Sequence, residues 1–193
     1  MPMTSAPTQA VRRESDWVGD VLRFWFEELS ENDWFTKRPE VDAQIRDRFA
    51  GLHGELAANQ GLGASGPRAL LACVIVLDQF SRHLFRGDPR AFASDPVARQ
   101  LANEAIERGF DRSLDKWERT FLYLPFEHSE NPSDQARSLE LAGSLHDDRS
   151  MRFAIKHKAI IDRFGRFPHR NAVLGRASTA EELEFLADPA NSF

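Results

Sequence analysis

A run of apolar residues in the first half of the chain restricts the fold more than any other feature. Residues 70–77 read LLACVIVL, and Gly66-Pro67 precede them as a typical helix start. Because this helix is apolar on almost every side up to Leu77, we expect it to lie at the centre of the fold, covered by its neighbours. Cys73 lies within the run, which predicts a buried thiol, and a lone cysteine cannot form an intrachain disulfide.

Helical patterns continue on both sides of this run. Apolar residues recur every three or four positions from Trp17 to Leu29 and again from Val41 to Leu56. Cap signatures predict further helices that begin at Asp95-Pro96, Asp115, Asn131-Pro132 and Ser178-Thr179. No segment shows the alternating β-branched pattern that is typical of strands. The sequence therefore predicts an all-α fold of about eight helices, stacked as antiparallel hairpins with short connections.

Length and composition favour one folded domain. The chain has 193 residues, of which 41% are apolar and 28% charged, as in ordinary soluble domains. Residues 1–14 are polar and aperiodic, which predicts a disordered arm before a single all-α domain at 15–193. The sequence has neither a secretory signal nor a stretch of about 20 apolar residues, so we expect a cytoplasmic protein without a membrane partner. The net charge of −5 argues against general nucleic-acid binding.

The strongest candidate for a polar site is the arginine loop, residues 163–171, which read RFGRFPHRN. Its planar guanidinium groups suit carboxylate or phosphate oxygens. Gly165 and Pro168 predict that the preceding helix ends here, so the charges lie on a bent loop. The helix before this loop carries His157 on its apolar face, where both a core histidine and a site residue are compatible with the pattern.

Two other polar clusters follow apolar helices. Asp78 and Arg82 have the spacing of an ion pair on one helix face, either as an internal strut or as ligand contacts. In the segment PFEHSE, residues 125–130, we expect Pro125 to break the helix and leave Glu127, His128 and Glu130 on an irregular segment. Carboxylates beside an imidazole can transfer protons near neutral pH, and their spacing matches no metal motif.

The distribution of charge offers a structural role for the same residues. Residues 152–176 carry seven Lys or Arg and one acid, a net charge of +6, whereas residues 115–148 carry a net charge of −5. Oppositely charged neighbouring hairpins attract each other. We therefore expect Glu127, Glu130 and Asp78 to neutralise part of the arginine loop, so that only the surplus charge is available to a ligand.

Several long strings resemble the bacterial family called domain of unknown function 924. They are FWF at 24–26, LDQFSRHLFRG at 77–87, LPFEHSE at 124–130 and HKAIIDRFGRFPHRNAVLGRASTAEELEFL at 157–186. This resemblance implies a tetratricopeptide-like all-α fold and implies no activity. Ser81 and His83 stand where the family pattern has proline and asparagine, so a fixed amide role at position 83 is not expected.

Two functional hypotheses remain open from the sequence. In the first, a tetratricopeptide-like binding module holds a small anionic ligand or a peptide through Asp78, Arg82, Arg166, His169, Arg170 and Asn171. In the alternative, an enzyme performs hydrolysis or another proton transfer on an anionic substrate with His128, His157, Glu127 and Glu130. Neither hypothesis calls for a metal or a cofactor. The sequence leaves open whether the protein is an enzyme, and it leaves its oligomeric state open.

Overall fold

The apolar run forms the central helix of the fold. The computed structural model describes residues 14–61, 63–188 and 191. Helix α4, Pro67–Val74, continues through a π-helical stretch at Ile75–Phe80 into α5, Ser81–Leu84. Every side chain from 69 to 81 is buried, and Cys73 is among those with no exposed surface. The predictions of a buried central helix and of a buried thiol are confirmed.

The other helices surround this central one. Before it lie α1 (Glu14–Arg23, extended by a π-helical stretch at Phe24–Glu28), α2 (Glu31–Phe35) and α3 (Pro39–Ala58). After it come α6 (Arg90–Ala93), α7 (Asp95–Glu107), α8 (Lys116–Glu127), α9 (Pro132–Ser144), α10 (Asp148–Phe164) and α11 (Ala180–Ala187), with 3-10 turns at Phe110–Ser113 and Pro168–Arg170. The described ranges contain no strand, and eight of these α-helices have at least eight residues. The all-α class and the predicted number of helices are confirmed.

Aromatic side chains fill much of the space around the central helix. The helix contacts α1, α3, α7 and α8, while α9 packs against both α8 and α10. Trp25 is fully buried where these elements meet, with its ring centroid 5.3 Å from that of Phe121 and 5.6 Å from that of Phe80. Such edge-to-face and tilted contacts stabilise a core beyond the area they bury.

Helix caps follow the sequence closely at three positions. Asp115 and Thr179 accept hydrogen bonds from the N–H groups of Glu118 and Glu182 in reciprocal capping boxes, and Asn131 caps α9. Asp95, in contrast, does not cap α7, because it is the first residue of that helix and its carboxylate contacts Arg82. The Asp95 carboxylate therefore pairs with an arginine that is distant in sequence and does not cap its own helix.

Pro125 does not break the helix, which corrects the predicted irregular segment. Helix α8 continues through Pro125 to Glu127, and the His128 N–H donates to the Leu124 carbonyl over 2.9 Å. A proline inside a helix removes one backbone hydrogen-bond donor. Because only two helical residues follow Pro125, few backbone hydrogen bonds of α8 lie beyond it. Glu127 consequently lies on the last turn of α8, while His128 and Glu130 follow that turn.

The predicted arm, residues 1–14, lies outside the described residues except for Glu14, which begins α1. None of the helices in the described ranges is both long and apolar enough to cross a membrane.

Candidate functional site

A pocket of about 520 Å³ lies beside the central helix, between α2, α8, α9 and α10. Its walls are apolar and largely aromatic, with contributions from Trp34, Phe35, Trp117, Leu124, Ala142, Leu145 and Phe153. Polar groups of the lining come from Gln79, Arg82, Glu127, His128 and His157. Three further cations line it, namely Lys37, Arg86 and Arg149. The pocket therefore combines apolar walls with a small set of polar and charged groups, as ligand sites commonly do.

Glu127 is the one acid among the described residues that line this pocket. Its side chain is buried, and burial together with the charge of Asp78 raises the pKa of its carboxyl to about 8. The carboxyl oxygen Oε1 lies 3.2 Å from Nδ1 of His157, and the same Nδ1 lies 2.9 Å from the Phe153 carbonyl oxygen. Burial lowers the pKa of His157 to about 3, so Glu127 and His157 are both uncharged at neutral pH.

His128 is held by a buried carboxylate. Its Nδ1 lies 2.9 Å from Oδ1 of Asp78, which has no exposed surface. Burial opposes ionisation of Asp78, but the charge of Arg82 and the hydrogen bonds from His128 and Gln79 hold the pKa of that carboxyl below its ordinary range. Burial lowers the pKa of His128 and outweighs the opposing effect of Asp78. A neutral His128 therefore donates its Nδ1 proton to Asp78 and keeps a lone pair on Nε2.

Arg82 and Arg170 complete an ion network behind the pocket. Arg82 contacts Oδ1 of Asp78 at 3.1 Å, as its spacing predicts, and binds both oxygens of Asp95 at 3.1 Å. Arg170 donates to the His128 carbonyl over 2.9 Å and lies 3.7 Å from Asp95. Burial, with the nearby charge of Arg82, lowers the pKa of Arg170 to about 10. The network therefore joins the central helix, α7 and the arginine loop.

The partners of the arginine loop differ from the predicted ones. Arg166 binds both carboxylate oxygens of the buried Glu182 at 2.7 and 2.8 Å, and this contact lowers the pKa of Glu182 to about 2. Asn171 donates to the same carboxylate over 3.2 Å. Arg163 contacts Glu181 at 2.7 Å on the surface. Two acids of α11 thus neutralise arginines for which Glu127, Glu130 and Asp78 are the predicted partners.

Glu130 has a structural environment. It accepts hydrogen bonds from Arg176 at 2.7 and 3.0 Å and from the Phe167 backbone N–H at 2.8 Å. Burial raises the pKa of the Glu130 carboxyl, but these contacts lower it by more, so the pKa lies below its ordinary value. Glu130 therefore fixes the arginine loop to the end of α8 and is not among the residues that line the pocket.

The predicted site residues thus separate into two groups. Arg82, Glu127, His128 and His157 line the pocket, whereas Asp78, Glu130, Arg166, His169, Arg170 and Asn171 do not. The aromatic walls and the cations Lys37 and Arg149 cannot be found from the sequence, because these residues lie in separate segments that share no sequence motif. His83, the departure from the family pattern, contacts Asp42 through Nδ1 at 2.7 Å and also lines the pocket.

Within the ranges that the structure describes, no group of three or more His, Cys, Asp or Glu side chains is arranged to hold a metal ion. The groups that the pocket offers a ligand are therefore imidazole nitrogens, a neutral carboxyl, hydroxyls, an amide and guanidinium or ammonium cations.

Fold and pocket define an all-α protein with a largely apolar pocket that is also lined by Glu127, His128 and His157. The chain belongs to a family described as bacterial proteins of unknown function (DUF924), whose model matches residues 21–190. It is similar to a solved structure of a protein of unknown function from Agrobacterium tumefaciens, with 38% identity and a TM-score of 0.85. That alignment covers 91% of this chain and 99% of the other. No curated protein matches the chain. The family resemblance drawn from the sequence is confirmed.

Proposed function

We propose that the protein binds a small anion with an aromatic or aliphatic body in the pocket beside the central helix. The observation that carries the proposal is the lining itself, which joins apolar walls to the cations Lys37, Arg82, Arg86 and Arg149 in a chain of net charge −5. The volume of about 520 Å³ lies within the range of small-molecule sites. Glu127, the one acid among the described lining residues, holds a proton at neutral pH, so no described residue of the lining repels an anion.

The cations differ in how much of their charge is already neutralised. Arg86 contacts Asp42 at 2.8 Å, and Arg82 is paired with Asp78 and Asp95, neither of which lines the pocket. Arg149 has no carboxylate partner among the described residues; its guanidinium carbon lies 4.4 Å from the Phe35 ring centroid. Phe35 is 45% exposed, so a cation held against an exposed ring remains accessible. Lys37 likewise has no carboxylate partner among the described residues, but it is exposed, whereas Arg149 is half-buried, so Arg149 is the best candidate to contact the anionic group.

The aromatic side chains supply the surface for the body of the ligand. Trp34 and Trp117 lie with ring centroids 5.1 Å apart, and Phe35 adjoins Trp34 at 6.2 Å. Burying the apolar part of a ligand against these rings contributes roughly 25 cal/mol for each Å² removed from water. A ligand with an apolar body and one anionic end matches these aromatic walls and cations better than a strongly hydrophilic metabolite does.

Peptide binding by a tetratricopeptide-like helical stack is the alternative form of a binding function. It would use an extended groove and main-chain hydrogen bonds, so affinity would grow with peptide length. A compact pocket with one cluster of aromatic rings favours a small molecule instead. We keep the two apart experimentally by comparing a small carboxylate with acidic peptides of increasing length.

Titration calorimetry with 4-butylbenzoate and its neutral amide, 4-butylbenzamide, tests the proposal. We expect the carboxylate to bind at least about tenfold more tightly, because a hydrogen bond to a charged group contributes about 1.5–3 kcal/mol. Arg149→Gln should remove most of that difference. Arg152→Gln, an exposed arginine on the same helix that does not line the pocket, is the matched control and should preserve it. Equal affinity of acid and amide for the unaltered protein contradicts the proposal.

A further inference from the structure

The geometry points to a second activity of this pocket: hydrolysis of esters of small apolar anions, with His128 as general base and Glu127 as general acid. The inference rests on the proposed function, since the substrate occupies the same pocket. Both side chains line that pocket from the end of α8. His157 lies between them, with its Nδ1 3.2 Å from Glu127 and its ring centroid 6.4 Å from that of His128.

His128 has the features of an oriented base. The Asp78 carboxylate, fully buried and 2.9 Å away, accepts the Nδ1 proton and fixes both the tautomer and the ring orientation. No described residue hydrogen-bonds Nε2, so the lone pair of that nitrogen is available to a water molecule. Arg82 holds the Asp78 carboxylate in turn through an ion pair, and Gln79 donates a hydrogen bond to it. An imidazole fixed by a buried carboxylate is the arrangement that activates a hydroxyl or water in many hydrolases.

Glu127 has the features of an acid. Its side chain is 11% exposed, and both its burial and the neighbouring Asp78 charge disfavour the carboxylate form, so it retains its proton at neutral pH. Two titratable groups at one pocket whose environments favour opposite protonation states are a recurring sign of acid–base catalysis.

The reaction balances with water as the nucleophile. His128 Nε2 takes a proton from water while the water oxygen forms a bond to the ester carbonyl carbon. The resulting tetrahedral oxyanion collapses, the bond from carbon to the leaving oxygen breaks, and Glu127 gives its proton to that oxygen. The products are a carboxylic acid and an alcohol or phenol. The proton on His128 then returns to Glu127 through solvent, which restores the starting state.

The test uses two phenyl esters, of which one carries a carboxylate and the other does not. The anionic probe is 4-butanoyloxybenzoate, whose para carboxylate cannot reach the ester to assist its own hydrolysis, and the neutral probe is phenyl butanoate. We expect the unaltered protein to hydrolyse the anionic ester with the higher kcat/KM. The rate should rise as His128 loses its proton below pH 6.5 and fall again near the Glu127 pKa of about 8.

Two variants and one matched control separate catalysis from folding. His128→Asn keeps an amide donor toward Asp78 but removes the Nε2 base, and we expect kcat to fall about 100-fold or more with little change in 4-butylbenzoate affinity. Glu127→Gln should abolish the alkaline limb of the pH profile and lower kcat. His146→Asn is the control, because His146 is exposed, does not line the pocket and has a φ of 51° that asparagine tolerates. It should leave the rate unchanged.

The outcomes distinguish this inference from the proposed function. If the unaltered protein binds 4-butylbenzoate but hydrolyses neither ester above the buffer rate, hydrolysis is wrong and binding stands. If it does not bind the carboxylate at all, both are wrong. A His128→Asn protein that folds, binds and retains the full rate also overturns the inference.

Discussion

Replacing Glu127 by glutamine should change how the stability of the protein depends on pH. Glu127 has an ordinary pKa of 4.5 when exposed, whereas burial beside Asp78 raises the pKa of the folded protein's carboxyl to about 8. Between these two values the folded state holds the proton more tightly than the unfolded state. The contribution of Glu127 is therefore complete below about pH 4.5 and is lost as the pH rises toward 8. Glutamine has the same shape and never ionises, so this loss should disappear.

The size of the effect follows from the shift. One pKa unit corresponds to about 1.4 kcal/mol, so the interval between 4.5 and about 8 sets an upper bound of about 5 kcal/mol on the pH-dependent contribution of Glu127 to the free energy of unfolding. Urea denaturation of both proteins between about pH 5 and pH 8 measures it. We expect the two to have similar stability near pH 5 and the variant to gain about 3–4 kcal/mol relative to the unaltered protein by pH 8.

A matched substitution controls for the loss of a carboxylate in general. Glu104→Gln removes an acid that is 43% exposed and pairs with Arg108 on the surface, so it should leave the pH dependence unchanged. If the difference between Glu127→Gln and the unaltered protein is constant from about pH 5 to pH 8, Glu127 is ionised in the folded state. The acid role assigned to it would then be wrong.

Two further predictions concern the ion networks outside the pocket. Arg170→Ala should cost about 1–3 kcal/mol of unfolding free energy in urea denaturation, because it leaves the His128 carbonyl without its hydrogen-bond donor while Asp95 keeps Arg82; an unchanged midpoint would refute this. Glu182, whose folded-state pKa is about 2, contributes stability above pH 4.5 that is lost as the pH falls through 2. Arg166→Gln should flatten that acid limb in pH-dependent thermal melts and leave 4-butylbenzoate affinity unchanged, and a lowered affinity would show that the arginine loop contacts the ligand.

The all-α class and most helix positions can be predicted because their causes are local. The spacing of apolar residues and the caps at Asp115, Asn131 and Thr179 act within one or two turns of each helix. The errors arise where a distant partner decides. Asp95 contacts Arg82 instead of capping its own helix, and Pro125 is accommodated because the helix ends two residues later. The π-helical stretch at Ile75–Phe80, which carries Asp78, has no sequence signal that we recognise.

The candidate site is predictable only in part, for the same reason. Composition and spacing identify Glu127, His128 and His157 as chemically capable residues, and these three meet at the pocket. The pairing of Arg166 with Glu182 joins residues 16 positions apart across a loop, so charge counts alone could not assign it. The pocket walls come from four separate helices, and their convergence depends on how those helices pack.

Above all, we propose that the pocket beside the central helix binds a small anion with an apolar body. A crystal of the unaltered protein soaked with 4-bromobenzoate tests it most directly, because the bromine gives an anomalous peak that locates the ligand. We predict a bromine peak among Trp34, Trp117 and Leu145, with the carboxylate toward Arg149. A fully soaked crystal with no bromine peak in this pocket, or with peaks only elsewhere on the surface, would contradict the claim.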